Sequence, residues 1–219
     1  MPMLRTLTRL APVRLALIGA ATLLLAGCGV NTIPTQDEAT KTSWAEVQNQ
    51  YQRRADLIPN LVATVKGYAK QEKDVLVEVT QARASATQVK VDASTITDPA
   101  QFQQYAAAQD KLSGVLGRLM MIQESYPDLK SNQNFLALQS QLEGTENRIT
   151  IARRDYNQTA QVYNTTLRTF PSIIWAKTIY ASQKPAQLFQ ATANAQSAPN
   201  VSFDAPAAPA VNTAPGPAN

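Results

Sequence analysis

Long stretches of this 219-residue chain place apolar or small residues at alternating intervals of three and four. Because an α-helix turns once in 3.6 residues, this spacing gathers them on one helix face. The first stretch begins at Ser43, which forms a capping box with Glu46, and predicts one helix that continues to about Gln88. Its seam consists of Trp44, Val47, Tyr51, Ala55, Ile58, Leu61, Val65, Tyr68, Leu76 and Val79.

Two further long helices follow. Asp98 suits an N-cap and Pro99 the first helical position, so the second helix is predicted from there to just before Pro127. Gly114 and Gly117 weaken that helix, and we expect another backbone to pass close to them. The third helix is predicted from about Ser131 to a stop at Pro171, with a shorter apolar segment over residues 173–180 after it.

These patterns predict an all-α fold, an elongated antiparallel helical bundle of three long helices plus a shorter C-terminal helix over residues 43–190. The first and third helices would each be roughly 60 to 70 Å long. Residues 28–42 are polar without a clear period, and are interpreted as a flexible spacer. Residues 191–219 are mostly Ala, Pro, Asn and Ser, a composition that predicts a disordered tail.

The N-terminus has the form of an export signal. Three arginines precede an apolar run over residues 15–26, which is short for a membrane span. The run ends in Leu25-Ala26-Gly27-Cys28, which resembles a bacterial lipoprotein lipobox. That resemblance implies removal of residues 1–27 as a signal peptide and acylation of Cys28. The alternative is an uncleaved membrane helix over residues 11–30. Either way, positive charge before the run leaves the body of the chain on the non-cytoplasmic side.

Charge and residue types exclude several functions. The chain has 20 Lys and Arg; without Arg5, Arg9 and Arg14, 17 remain against 16 Asp and Glu, so nucleic acid is not an expected partner. There is no histidine, and Cys28 is the only cysteine. Histidine-based catalysis and His or Cys metal sites are therefore excluded, and no cofactor is expected. Carboxylates remain available for cleaving a glycan: Glu72 with Asp74 and Glu78, or Glu143 with Glu146.

Two motifs resemble the signatures of the LemA family. The first is Gln52-Arg53-Arg54-Ala55-Asp56-Leu57-Ile58-Pro59-Asn60-Leu61-Val62, continued by Val65-Lys66-Gly67-Tyr68-Ala69. The second is Tyr126-Pro127-Asp128-Leu129-Lys130, followed by Thr145-Glu146-Asn147-Arg148-Ile149, Tyr156-Asn157, Tyr163-Asn164 and Phe170-Pro171. The resemblance covers about residues 43–190. It implies an antiparallel helical bundle behind an N-terminal membrane segment, in a bacterial envelope protein, with some relatives tied to membrane-organelle formation. A lipobox departs from the plain membrane helix of many relatives.

The first motif provides a candidate interaction surface. Arg53, Asp56 and Asn60 share a helical stripe apart from the apolar seam. Pro59 lies inside the same helix and predicts a kink or a break, because it lacks an N–H and clashes with the preceding turn. Two interpretations remain open for the stripe. It is either a solvated face whose groups satisfy the carbonyls freed by Pro59, or a docking surface for another envelope protein.

The third helix provides a candidate structural network. Glu146, Asn147 and Arg148 lie beside seam positions and are predicted to form a polar network that fixes the register of the bundle, in preference to a ligand site. Tyr156-Asn157 and Tyr163-Asn164 repeat one heptad apart. Both tyrosines fall on the apolar seam, so their hydroxyls need hydrogen-bond partners or access to water.

Together these features predict a non-catalytic envelope lipoprotein that acts as a scaffold, an adaptor or a membrane-organising element through its helix faces. Its partners would be the membrane, through acylated Cys28, and an envelope protein. Gly29 replaces the aspartate that, by resemblance to enteric lipoproteins, retains a lipoprotein in the inner membrane; this favours the outer membrane in a Gram-negative cell. The alternatives are a carboxylate-dependent cell-wall-modifying enzyme and an amphipathic bundle that inserts into lipid, although the mature chain shows no basic face.

Overall fold

A computed structural model describes residues 29–89, 92 and 94–190 of the chain. The predicted signal peptide with Cys28, and the predicted tail over residues 191–219, lie outside the described residues. The described residues up to Phe189 belong to one compact unit. Every regular element among the described residues is helical, which confirms the all-α class.

The described part of the chain contains six α-helices and two short 3-10 turns. The helices are α1 (Thr32–Tyr68), α2 (Lys73–Gln88), α3 (Pro99–Met121), α4 (Pro127–Lys130), α5 (Gln133–Thr166) and α6 (Ser172–Lys177). The 3-10 turns are Thr95–Thr97 and Ile122–Ser125. None of the helices in these described ranges combines the length and the apolar character that crossing a bilayer requires.

Helix α1 begins eleven residues earlier than predicted, so the flexible spacer over residues 28–42 is wrong from Thr32 onward. Ile33, Asp37 and Thr40 are buried there and continue the three-four spacing that leads to Trp44. Two of these seam positions, Asp37 and Thr40, are polar, so the three-four spacing was not recognisable from apolar residues alone. Their polar groups have partners, since Asp37 pairs with Lys41 at 2.6 Å and the Thr40 hydroxyl donates to the Gln36 carbonyl.

The predicted first helix is in fact two helices, so the bundle has four long helices instead of three. Helix α1 ends at Tyr68, and α2 returns antiparallel beside it, which brings Arg83 to the carbonyl of Ala55. The turn falls in the polar run over residues 70–74. A straight helix would have no apolar face to bury there, whereas a turn lets Leu76 and Val79 pack back against α1.

The starts of α3 and α5 agree with the sequence signals. The Asp98 carboxylate caps α3 by accepting from the amides of Ala100 and Gln101, and Asn132 caps α5 by accepting from the Phe135 amide. Helix α5 ends at Thr166, a few residues before Pro171. The expected backbone next to Gly114 and Gly117 is absent, because a β-carbon at either position would meet no atom within 4 Å outside its own helix.

Two antiparallel pairs build the bundle. Helix α1 has its largest interface with α5, joined near one end by the Asn132–Tyr68 hydrogen bond and farther along by Trp44 against Tyr156. Helix α2 packs antiparallel on α3, where Arg118 pairs with Glu78. The interior divides into two apolar clusters. One includes Ile58, Leu61, Val79, Leu112, Leu119, Leu129, Phe135 and Leu142; the other includes Ile33, Trp44, Tyr51, Phe102, Tyr105, Ile149, Tyr156, Tyr163 and Phe189.

Candidate functional site

A polar layer centred on Arg54 separates the two apolar clusters. The Arg54 side chain is only 1% exposed. Its Nη1 atom donates to Ser113 Oγ at 2.5 Å and to Glu146 Oε1 at 2.9 Å. Its Nη2 atom donates to the side-chain oxygen of Gln109 at 2.6 Å and to the Gln109 carbonyl at 3.1 Å. We call Arg54, Gln109, Ser113 and Glu146 the polar layer.

The polar layer connects all four long helices. Arg54 lies on α1, Gln109 and Ser113 on α3, and Glu146 on α5, while the Gln109 amide also donates to the Ala86 carbonyl of α2 at 3.2 Å. A buried guanidinium is strongly destabilising unless it is paired and hydrogen-bonded. Any slide of one helix along another would break these contacts, so the layer fixes the register of the bundle.

Only part of the predicted network belongs to this layer. Glu146 is half-buried against Arg54, but Asn147 and Arg148 are exposed on the outer side of α5. The sequence reasoning missed Arg54 and Gln109, although the spacing contained the signal. Residues 47, 51, 54 and 58 follow the four-three-four alternation, which places Arg54 on the seam itself.

The candidate interaction surface of Arg53, Asp56 and Asn60 is exposed on α1. Asp56 accepts a hydrogen bond from Gln52 within the same helix at 2.8 Å. Asn60 lines a shallow groove between α1 and α5, together with Thr64, Asn134 and Leu138. The structure therefore leaves all three side chains on the solvent side of the helix, available to a partner.

Pro59 does not break α1, which continues through it. Pro59 lacks the N–H that would donate to the Ala55 carbonyl, and Arg83 of α2 replaces that donor with its Nε atom at 2.8 Å. The exposed stripe is thus not what satisfies the freed carbonyl. The donor to that carbonyl comes from Arg83 of the neighbouring helix α2, and the sequence pattern alone could not identify it.

The repeated Tyr-Asn pairs of α5 hold an extended segment, residues 183–189, which we call the strap. The Asn157 side chain bonds both the N–H and the carbonyl of Phe189 at 2.9 Å, and Asn164 does the same with Ala186 at 2.8 Å. The Tyr156 hydroxyl donates to the Gln187 carbonyl at 2.7 Å. The Tyr163 hydroxyl bonds the Gln183 side chain and the Lys184 carbonyl. These are the partners that the tyrosines required.

The strap ends in an aromatic cluster. The Phe189 ring lies 4.8 Å from that of Phe102, 5.6 Å from that of Tyr156 and 6.0 Å from that of Trp44, measured between ring centroids. The Arg153 guanidinium stacks over Phe189 at 4.4 Å and pairs with Asp110 at 3.1 Å. The sequence reasoning placed residues 183–189 in the bundle but did not identify this role for Phe189.

Burial changes the ionisation of the tyrosines in this cluster. Burial raises the pKa of Tyr163 to about 12, and also raises the pKa values of Tyr156 and Tyr105 well above the ordinary tyrosine range. These phenols are therefore neutral hydrogen-bond donors at physiological pH. Their pKa values are far from those that suit a general acid or base near neutrality.

Four of the five carboxylates that could serve in a catalytic pair have other partners, and the fifth, Asp74, is exposed. Glu72 accepts from the Tyr126 hydroxyl at 3.0 Å, and Glu78 pairs with Arg118. Glu143 accepts from Gln139 at 3.0 Å, while Glu146 pairs with Arg54. Among the described residues, no cluster of three or more His, Cys, Asp or Glu side chains is placed to hold a metal ion.

Exposed apolar side chains lie at the end of the unit that contains Gly29. A β-carbon on Gly29 would lie 3.7 Å from both Pro171 and Trp175, so Gly29 is next to α6. The neighbouring apolar side chains are exposed: Phe170 at 80%, Ile179 at 61% and Ile174 at 48%. We call these three residues the base patch. Arg168 and Lys177 are exposed close to it in the chain.

A second apolar surface lies beside the α1–α2 turn. It is a groove of about 580 Å³ with Val62, Leu76 and Val77 among its lining residues, and Lys66, Lys70 and Lys73 also line it. Three acids lie close to it in the chain: Glu72 and Glu78 are engaged with Tyr126 and Arg118, and Asp74 is exposed next to Lys73. We call this surface the lysine groove.

The fold defines an all-α helical-bundle protein, and its described surface includes an exposed polar stripe, the base patch and the lysine groove. The LemA family model matches residues 43–203, more than half of the chain, and the chain therefore belongs to the LemA family. A protein LemA of Metamycoplasma hominis is 26% identical over 124 residues, which cover 57% of this chain and 52% of that relative. Magnetosome proteins MamQ 1 and MamQ 2 of Paramagnetospirillum magneticum are each 26% identical over 157 residues, 64% of this chain and 58% of theirs. The chain thus matches little more than half the length of these relatives.

Proposed function

We propose that this protein is a lipid-anchored, non-catalytic scaffold of the bacterial envelope, held at a membrane through acylated Cys28. The base patch is the observation that supports this most directly. Phe170, Ile174 and Ile179 expose apolar surface at the same end of the unit as Gly29, which directly follows Cys28. Acyl chains at Cys28 would bring this patch to the lipid surface, where its apolar side chains would be buried and Arg168 and Lys177 would face the head groups.

The scaffold role follows from what the bundle presents away from that end. Helix α1 has 37 residues and is therefore about 55 Å long, so it carries the Arg53–Asp56–Asn60 stripe well away from Gly29. A partner in the envelope could bind this stripe while the base patch contacts lipid. Two of the relatives are named as magnetosome proteins, which supports a role in organising membranes.

The anchor is tested by comparing the native protein with a Cys28→Ala variant in the bacterial host. Metabolic labelling with a fatty acid and intact-mass analysis should show an acylated, cleaved wild type in the membrane fraction. The variant should carry no acyl chain. Separation of the inner and outer membranes should place the wild type in the outer membrane of a Gram-negative host. A wild type with a free thiol and an intact leader in the soluble fraction would contradict the proposal.

The docking role of the stripe needs a separate experiment. Asp56→Ala with Asn60→Ala should reduce in-cell cross-linking to envelope proteins while leaving thermal unfolding nearly unchanged, because both side chains are exposed. Gln71→Ala, another polar exposed position, serves as the matched control. Reduced thermal stability with unchanged cross-links would argue for a purely structural stripe.

A second candidate function is direct contact with anionic lipid, which the lysine groove favours by placing three cations around an apolar floor. Both apolar clusters lie within residues 33–189, so a chain beginning at Gly29 retains the whole core. Cosedimentation of that chain with phosphatidylglycerol vesicles, lost on changing Lys66, Lys70 and Lys73 to Gln, would support this candidate. Absence of binding would leave the acyl anchor as the membrane contact. A peptidoglycan digestion assay tests the enzyme alternative, four of whose five candidate carboxylates have other partners.

A further inference from the structure

Most of the hydrogen bonds that hold the strap are made to its peptide backbone; the Tyr163–Gln183 bond is the one described here that reaches a strap side chain. Asn157 and Asn164 each bond one N–H and one carbonyl of the strap, and Tyr156 donates to a third residue's carbonyl. On the opposite side, the Gln187 N–H donates to the Ile96 carbonyl at 2.7 Å. Groups that bond only main-chain atoms accept any extended segment whose side chains fit, which is how grooves for extended peptides obtain affinity.

The spacing of the asparagines matches an extended chain. Asn157 and Asn164 are seven residues apart on α5, which corresponds to about 10.5 Å along a helix. Their partners, Phe189 and Ala186, are three residues apart in the strap, which corresponds to about 10 Å along an extended chain. The repeat is therefore in register with a ligand running antiparallel to α5, and a helical ligand would not reach both asparagines.

Burial selects side chains at two positions of the strap, and Tyr163 makes one further side-chain contact, with Gln183. Ala186 and Phe189 are buried, at 4% and 8% exposure, whereas Lys184, Pro185 and Leu188 between and before them are exposed. Ala186 lies where the strap backbone approaches Asn164, and Phe189 fills the aromatic cluster. The groove thus selects a small residue followed three positions later by an aromatic residue.

We propose that this groove between α5 and the Thr95–Thr97 turn is a binding site for an extended segment of a partner protein with a small-x-x-aromatic pattern. Residues 183–189 occupy it as a ligand in cis. The partner would displace the strap and make the same backbone hydrogen bonds. This inference goes beyond the proposed scaffold function and does not depend on the membrane anchor. A tethered strap has an effective concentration in the millimolar range, so the intact chain should bind a free peptide weakly.

The test uses the full chain and a fluorescent peptide with the sequence of residues 183–189, Gln-Lys-Pro-Ala-Gln-Leu-Phe. Phe189→Ala weakens the cis strap, and fluorescence anisotropy should show at least tenfold tighter peptide binding to this variant than to the wild type. The same peptide with alanine in place of its terminal phenylalanine should not bind. Adding Asn157→Asp and Asn164→Asp to the variant should abolish binding, because aspartate keeps the size but cannot donate to a carbonyl.

A second variant keeps the test decisive should Phe189→Ala fail to fold. Gln187→Pro removes the N–H that bonds Ile96 but leaves both buried strap residues in place. Circular dichroism establishes that each variant is folded. A folded variant that does not bind the peptide overturns the proposal. Strap exchange between two copies of the chain, detected as a dimer cross-linked from Phe189 to the aromatic cluster of the other copy, would also overturn it, because the occupant would then be a second copy.

Discussion

At the scale of single residues, Arg54 shows that a charged residue can occupy a position of the buried seam when the three-four spacing places it there. The positions 47, 51, 54, 58, 61 and 65 of α1 and 102, 105, 109, 112, 116 and 119 of α3 keep an unbroken three-four alternation. Arg54 and Gln109 occupy that alternation at the same level of the bundle. The predicted seam contained Ala55, which is buried, but not Arg54, whose residue type is rarely buried. Only the three-dimensional pairing with Glu146 shows that the charge is compensated.

Glu146 is the countercharge for Arg54, and its loss should be costly. Glu146→Gln should lower the free energy of unfolding by about 2 to 3 kcal/mol, because the buried guanidinium would lose its ionic partner; the half-exposed carboxylate keeps this below the value for a fully buried pair. Urea denaturation at pH 7 measures it. Glu143→Gln, one turn earlier and bonded only to Gln139 among the described residues, is the matched control and should change stability by less than about 0.5 kcal/mol. Equal effects of the two substitutions would contradict the role assigned to the polar layer.

Gly114 allows a gain in stability, since the space around it is open. Gly114→Ala should raise the free energy of unfolding by about 0.5 to 1 kcal/mol, because alanine restricts the unfolded chain and a β-carbon meets nothing within 4 Å. Ala107→Gly, at an exposed position of the same helix, should lower the free energy of unfolding by a similar amount. Thermal unfolding of both variants compares the two directions. A destabilised Gly114→Ala protein would show that the glycine is needed for close packing after all.

At the scale of elements, the helical character of the segments was predictable from the sequence, whereas the positions of the helix ends were predictable only in part. Asp98 marked the start of α3 because a cap acts locally, within three residues, whereas the Asn132 cap of α5 was identified only in the structure, one residue from the predicted start near Ser131. The α1–α2 turn was missed because its cause is tertiary: α2 gains burial by folding back against α1 and packing on α3. The start of α1 was missed because polar Asp37 and Thr40 occupy seam positions whose partners become visible only in the structure.

The link between α1 and α2 through Ala55 can be tested by a double-mutant cycle. Arg83→Met should lower the free energy of unfolding by about 1 to 3 kcal/mol, because the Ala55 carbonyl loses its donor. Pro59→Ala restores an N–H that can donate to that carbonyl from within the helix. In the Pro59→Ala background, Arg83→Met should therefore cost at least about 1 kcal/mol less. Urea denaturation of the four proteins gives the coupling, and strictly additive effects would show that Arg83 does not act through the freed carbonyl.

At the scale of the whole molecule, the sequence predicted the all-α class and the family, and both are confirmed. It also predicted that Tyr156 and Tyr163 need partners, which the strap provides. What it could not predict is the strap itself, since residues 183–189 have no period of their own and take their extended form from Asn157 and Asn164. An element that depends on hydrogen bonds from another helix leaves no local pattern in its own residues.

The cluster of buried tyrosines makes the stability of the whole unit sensitive to alkaline pH. Burial raises the folded-state pKa values of Tyr105, Tyr156 and Tyr163, the last to about 12, whereas tyrosine in an unfolded chain titrates near about 10. Above about pH 10 the unfolded chain therefore releases protons that the folded protein keeps. The free energy of unfolding should be unaffected by these groups below about pH 10 and should fall as the pH rises from about 10 to 12.

Urea denaturation at pH 8, 10 and 11.5 measures this loss, which should appear as a steadily lower midpoint above pH 10. Tyr163→Phe provides the internal control, because it removes one titrating group together with its bonds to Gln183 and Lys184. The variant should be less stable than the wild type at pH 8 but lose stability less steeply between pH 10 and 11.5. A midpoint that stays constant up to pH 11.5 would mean that the hydroxyls can ionise without opening the cluster, in which case the strap could not be as firmly seated as its hydrogen bonds indicate.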